Sequence, residues 1–388
     1  MTGPDDYARF YVLRWLAAGA SSAASTIGAG TILDIFFLHQ RGRAFVCYST
    51  MTLLGPVIGP TISGYIVGNT AWPVQFWWTV GAEGAVIFAT ILFLKETGYT
   101  RSEKLIFPPQ PRTWAKNRIA TFLPGTQIVP RIGTRELLRK GTTPFIIAVC
   151  PVAALAGSFL LVCFGWQVAT VTLLAVFLQS PLDEGGYGFT PSQNAAFSFA
   201  LWFSMLAAQL YGYSLNDRLP FWICRRRGGV WKPEYRLHSL WIPACILPIG
   251  LGLYGASLQY HLHYMVLAVA AFLTQAAASS LAPAATNYVA ECFTEYPTEV
   301  NAVMNFYRLV LGSVISFFVT PWEAKVGVGW VYGMMAFFSV FATGNIVLLV
   351  LKGKSLRSMS FSKFEKSEEG THIMSKAEAR SDRIENEI

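Results

Sequence analysis

Nine apolar windows, spread along almost the whole chain, constrain its fold more than any other feature. A helix that crosses a bilayer needs about 20 mostly apolar residues. The windows cover residues 10–37, 45–67, 76–94, 145–178, 195–212, 241–255, 264–285, 303–319 and 330–351. Backbone N–H and C=O groups find no water in lipid, so such windows must satisfy them within a helix. The fold class expected is therefore all-α, a polytopic membrane protein of about nine transmembrane helices. Window 145–178 exceeds one crossing, so it is either tilted or begins as an interfacial segment. Window 241–255 is short and contains Pro248. The Gly, Ala, Ser and Pro within the windows suit close helix packing in lipid.

Composition supports the same reading. Charged residues make up 13% of the 388 residues, and hydrophobic residues 53%. A soluble domain carries about 25% charged residues, so most of this exterior must face something apolar. That argues against an ordinary cytosolic enzyme, a nucleic-acid binder and a disordered chain. The net charge of +8 comes from loops between the windows. Loop 95–144 carries Lys95, Arg101, Lys104, Arg112, Lys116, Arg118, Arg131, Arg135, Arg139 and Lys140. Arg218, Arg225, Arg226, Arg227, Lys232 and Arg236 follow the fifth window, and Arg41 and Arg43 the first. The alternate loops, 68–75, 179–194 and 257–263, hold no Lys or Arg. This alternation follows the positive-inside rule. It sets the N-terminus outside and the tail 352–388 in the cytosol, where the Lys, Glu and Ser content reads as disorder.

Cys47, Cys150, Cys163, Cys224, Cys245 and Cys292 form no CxxC pair. They read as buried small hydrophobes, with neither a disulfide framework nor a zinc site. Asp5 and Asp6 stand where a signal peptide would carry basic residues. There is no P-loop, no GxSxG and no HExxH, so neither an enzyme nor an ATP-driven pump is expected, and no cofactor or metal. His261 and His263 alone are thin evidence for a metal.

The second window contains Gly55-Pro56-Val57-Ile58-Gly59-Pro60-Thr61-Ile62-Ser63-Gly64. Gly55, Gly59 and Ser63 share one helix face, which lets a second helix approach closely. Pro56 and Pro60 each remove an N–H and bend the helix. On physics alone this is a kinked packing helix. It also resembles the antiporter motif of the fifth helix in the major facilitator superfamily, GxxxGPxxGG, with Ser63 in place of one glycine.

Other segments resemble that family in order. Arg14-Trp15-Leu16-Ala17-Ala18-Gly19 is similar to its fourth-helix RxxxG, with the glycine one place late. Residues 31–44 resemble the following loop in fungal drug:proton-antiporter-like members. Lys95-Glu96-Thr97, Tyr187-Gly188-Phe189-Thr190, the stretch 229–237 containing Pro233-Glu234-Tyr235-Arg236-Leu237, Asn287-Tyr288-Val289-Ala290-Glu291, and 352–357 resemble successive later motifs. The resemblance covers almost all of 10–357 and begins at the family's fourth helix. It implies four regions: a partial amino-terminal bundle over 1–94, a basic linker over 95–144, a six-helix bundle over 145–351 and the tail.

Ionisable groups within spans are functional candidates. Arg14 is a snorkelling interfacial arginine or, as the resemblance implies, a proton-coupling residue. Glu83, midway along the third window, is a bundle-paired glutamate or a desolvated proton carrier. Asp34 with Arg41 and Arg43, joined by Glu291, reads as interfacial charge or, by the resemblance, as a cytosolic gate. Asn301, Asn305 and Arg308 share a face of the eighth window and serve either substrate contact or helix-to-helix hydrogen bonds. Gln75, Trp77, Trp166, Gln167, Gln209, Gln275 and Tyr288 could bind a planar or cationic amphiphile by amide and cation–π contacts. Most Trp and Tyr in such chains are interfacial, as Trp72, Trp241, Trp322 and Trp330 are expected to be.

The reading favoured is a secondary transporter exporting small amphipathic or cationic compounds in exchange for protons. It is expected to be monomeric, with partners limited to the lipid bilayer, the small-molecule substrate and protons, and no nucleic acid. The plasma membrane is favoured over the vacuole. The alternatives are a truncated, inactive or regulatory fragment, given the absence of counterparts to the first three family helices, and an importer on the same fold.

Overall fold

The computed structural model describes residues 5–35, 38–93, 113–114, 116–117, 119, 134–182, 185–216, 218–228, 231–293 and 296–386. Their regular structure is entirely helical, with no strand among the described residues. In chain order the helices are α1 (Asp5–Ile35), α2 (Leu38–Asn69), α3 (Val74–Phe93), α4 (Thr134–Val149), α5 (Pro151–Gln179), α6 (Pro191–Phe197), α7 (Phe199–Leu215) and α8 (Arg218–Arg226). A 3-10 helix, Pro233–Leu240, precedes α9 (Trp241–Gln259), α10 (Tyr264–Cys292), α11 (Pro297–Val326) and α12 (Val328–Asn386).

Each of the nine windows is mostly helix among the described residues. Among the described residues six helices are long and apolar enough to cross a bilayer, or seven when a bent pair counts as one span. Helices α1 and α2, of 31 and 32 residues, add ample length at about 1.5 Å per residue. Some side chains of both lie outside the described ones.

Prolines set the interruptions. The overlong fourth window divides into α4 and α5 at Cys150, whose backbone is extended (φ −62°, ψ 134°) ahead of Pro151 at the helix start. A residue before proline is pushed away from the helical region, and proline suits the first helical position. Helix α11 bends by 53° between its Pro297–Ile315 and Phe317–Val326 parts. Pro321 lacks the N–H that would bond to Phe317, and its ring crowds that carbonyl. Helix α6 starts on a reciprocal cap: Thr190 Oγ1 accepts from the Gln193 N–H and Gln193 Oε1 from the Thr190 N–H. The segment expected as a disordered tail instead continues α12 to Asn386. It holds no proline, and its Lys, Glu, Arg and Ala content favours helix.

Two compact units result. The first comprises Met1–Gly141 with Phe189–Trp202, the second Thr142–Gly188 with Phe203–Ile388. In the first, α2 packs against α1, α3 and α6. Residues 189–202, expected within the carboxyl-terminal bundle, belong here through α6. In the second, α5 packs against α10, α11 and α12, and α9 against α10 and α12. Glycines allow these approaches. A Cβ on Gly165 would lie 2.6 Å from Leu311 of α11, and one on Gly255 would lie 2.7 Å from the Tyr332 Cβ of α12. Close backbone approach replaces the water-driven effect that packs soluble cores. Cys150, Cys163, Cys224 and Cys292 are buried, whereas Cys245 is exposed, on the outer side of α9. Cys47 lies outside the described side chains.

Candidate functional site

In the first unit the small-residue face of α2 meets α6 at its later turns. A Cβ on Gly64 would come within 2.9 Å of the Ala195 Cβ, and one on Gly68 would collide with Ser192. Trp202 Nε1 donates to Thr61 Oγ1 (3.0 Å), and the buried Thr61 hydroxyl donates to the Val57 carbonyl (3.0 Å). Gly55 and Gly59 have open space where a Cβ would point. The tight contact therefore lies one to three turns beyond the first glycines of the motif. Pro56 and Pro60 lie within α2, and Ser63 is half-buried.

Arg14 is exposed on α1, its guanidinium 5.9 Å from the Phe10 ring centroid and 5.8 Å from that of Phe76 on α3. Gln75, beside Phe76, is half-buried. Glu83 stands two turns further along α3, on an exposed surface with Val80, Val86 and Ile87. Arg14 and Glu83 form no ion pair. The side chains of Asp34, Arg41 and Arg43 lie outside the described residues.

The second unit contains a polar run inside an apolar bundle. Gln167 of α5 donates through Nε2 to Oε1 of Gln275 on α10, and both residues are buried. Trp166 stacks on Phe338 of α12, with centroids 6.2 Å apart. Its buried Nε1 and the Gln167 Oε1 have no hydrogen-bond partner among the described residues. On α11, Arg308 places its guanidinium 4.8 Å from the centroid of Phe164, one turn before Gln167 on α5. Asn305 is half-buried one turn before Arg308. The structure thus brings Gln167, Gln275 and the Phe164–Arg308 pair onto three adjoining helices.

Tyr288 belongs elsewhere. It is buried on α10 beside Cys292, close to Glu234 and Arg357. Those groups make a second cluster, at the end of the unit that carries the basic loops. Glu234 pairs with Arg357 of α12 at 2.9 Å. Arg236 donates to Glu291, the last acidic residue of α10, at 2.5 Å, and Trp231 Nε1 donates to the other Glu291 oxygen at 3.3 Å. A Cβ on Gly353 would lie 2.5 Å from Glu234 Oε1, so the glycine admits the carboxylate to Arg357 one turn on. Alternate residues of Pro233-Glu234-Tyr235-Arg236-Leu237 thus tie the 3-10 segment to two different helices.

A protein-family model, described as Major Facilitator Superfamily, matches residues 3–231. The chain belongs to the Major Facilitator Superfamily. Efflux pump radE of Floropilus chiversii is 26% identical over 348 residues, which are 89% of this chain and 63% of that protein. An uncharacterized transporter of Schizosaccharomyces pombe is 22% identical over 356 residues, 91% of this chain and 71% of its own. MFS-type transporter hepF of Aspergillus oryzae is 23% identical over 347 residues, 89% and 69% respectively. The chain spans about two thirds of the length of these relatives.

Membership in the Major Facilitator Superfamily agrees with the motif order and with a multi-pass, all-α membrane chain. The motif reading left Glu234, Arg236 and Arg357 without roles, although it quoted the segments that hold them. The charge pattern Glu-x-Arg was the available signal. It did not show which helices the two groups reach. Phe164 and Trp202 carried no sequence signal, because an aromatic in an apolar window looks like any other lipid-facing or core residue.

Proposed function

We propose that the chain acts as a proton-coupled secondary transporter that exports small amphipathic compounds. The observation that carries this reading is the polar run Gln167–Gln275 with Arg308, held within helices that are otherwise apolar. Polar and charged groups at membrane depth are costly and concentrate where something must be bound or moved. The printed name of radE, an efflux pump, supports export. In this reading the α2–α6 contact at Gly64 and Gly68 seals the first unit, and Glu83 and Arg14 serve proton coupling. Asp34, Arg41 and Arg43 form the inner gate. The transporter is a monomer of the plasma membrane, with its basic loops in the cytosol.

The test uses everted membrane vesicles carrying the chain, an imposed pH gradient, and two fluorescent amphiphiles, fluorescein and rhodamine 6G. Accumulation of a dye that collapses with a protonophore is expected, and Glu83→Gln should lower it without changing dye binding. Accumulation indifferent to the gradient would overturn proton coupling. Accumulation in right-side-out vesicles alone would make the chain an importer.

A further inference from the structure

Across the middle depth of the second unit one side chain is permanently charged. In α5, α7, α9, α10, α11 and the apolar part of α12, the other Asp, Glu, Lys, Arg and His residues stand at or near helix ends, as Glu291, Glu299, Glu323 and Lys325 do. Arg308 lies eleven residues into α11 from Pro297, about 16 Å along the helix at 1.5 Å per residue. It is also seven residues ahead of the bend that follows Ile315. A lysine there could become neutral by losing a proton, but a guanidinium stays charged. Its fork of donors matches a carboxylate in a bidentate way.

The neighbours fit a flat molecule with one acidic group. Arg308 lies over Phe164. Phe164 and Gln167 are one turn apart on α5, so they share a face. Gln167 is bonded to Gln275, and its Oε1 keeps an unused acceptor position in a buried setting. Trp166, also buried, holds an unused N–H donor. An aromatic surface, an amide edge and a fixed positive charge thus adjoin one another in a low-dielectric region.

We propose that this run binds the anionic group, a carboxylate or ionised phenol, of a planar amphipathic substrate. Arg308 takes the charge, Phe164 the flat apolar body, and the Gln167–Gln275 amides a polar edge. The inference rests on the transport reading above and narrows its substrate class to amphipathic acids, away from cations. A cation placed about 6 Å from Arg308 would meet a repulsion worth about a hundredfold in affinity at an effective dielectric constant of about 20.

Fluorescein and rhodamine 6G test this, since they share a xanthene body and differ in charge. Binding to the purified chain in detergent is read by fluorescence polarisation. Fluorescein should bind more tightly than rhodamine 6G, a comparison that needs no variant. Arg308→Gln should weaken fluorescein by about tenfold or more, the scale of a charged hydrogen bond, and should not weaken rhodamine 6G. Arg308→Lys should bind fluorescein with an affinity between those of the parent and Arg308→Gln, since an ammonium there lacks the bidentate fork and can lose its charge. Tighter binding of rhodamine 6G, no fluorescein binding to the folded chain, or fluorescein affinity unchanged in a folded Arg308→Gln would each overturn the inference. The two readings fail separately. Fluorescein bound through Arg308 but not moved by vesicles refutes export and upholds the site, whereas gradient-driven movement of rhodamine 6G alone does the reverse.

Discussion

Replacing Arg357 by methionine keeps an unbranched aliphatic side chain but removes the charge opposite Glu234. The two groups are 2.9 Å apart, with side chains 22% and 11% exposed. At an effective dielectric constant of about 20 the attraction at that distance is about 6 kcal/mol. Desolvation of both ions cancels much of it. What the single variant exposes is the remaining half of the pair, a carboxylate left buried beside Tyr288 and Cys292. Breaking buried pairs costs about 3–5 kcal/mol, and residual exposure on the Arg357 side places this one near the lower end, about 3 kcal/mol. For a unit of this size each kcal/mol moves the melting temperature by about 2–4 °C, so Arg357→Met should melt roughly 6–12 °C lower. The double variant Glu234→Leu/Arg357→Met removes both charges and should recover most of the loss, with a coupling energy of about 2 kcal/mol. Thermal unfolding of the detergent-purified chain, followed by intrinsic tryptophan fluorescence, measures all three. A melting point for Arg357→Met within about 1 °C of the parent, or a double variant that loses the sum of both singles, would refute the claim that this pair fastens α12 to the 3-10 segment.

Gly64→Val should lower the melting temperature through an overpacking cost of about 1–3 kcal/mol, because its Cβ would sit 2.9 Å from Ala195. Gly55→Ala, which meets open space, should lose nothing in the same assay. Gln167→Leu strands the Gln275 amide and should cost about 1–3 kcal/mol, whereas the double leucine variant should regain stability and lose dye binding. Tyr187→Phe removes the hydroxyl that donates to the Leu262 (2.7 Å) and Ser257 (3.3 Å) carbonyls. It should cost about 1 kcal/mol, seen as faster proteolysis at residues 260–263. Burial raises the Tyr187 phenol above its usual 10, so the folded form favours the proton. Its contribution is complete below pH 10 and is lost as the pH rises through the folded value.

The spans were legible because lipid leaves the backbone one solution per window, and hydropathy reports that solution directly. Breaks within spans were legible only in part. The proline after Cys150 marks a helix boundary whatever surrounds it, so the division of window 145–178 follows from local sterics. The bend in α11 lies between Ile315 and Phe317, beside the carbonyl that Pro321 leaves without its bond and about one turn before the proline. A sequence reading assigns such a bend to the proline itself and places it late. Side-chain partners were the least legible. Arg236 and Glu291 are 55 residues apart, and Gln167 and Gln275 are 108 apart, so no local period links them. Tyr288 shows the consequence. Grouped by residue type it joined Gln275 as a substrate contact, but thirteen residues of helix separate them by about 20 Å along the axis, which puts the phenol among the charges of the basic-loop end. Glu83 shows the converse. Its residue type and depth were readable, but the face it occupies depends on what covers α3, and an apolar window fixes that it is covered without fixing by what. The charge of Arg308 was readable from the sequence itself, because it stands eleven residues into α11, far from the acidic and basic residues at the helix ends, and that is why the sharpest statement about substrate rests on it.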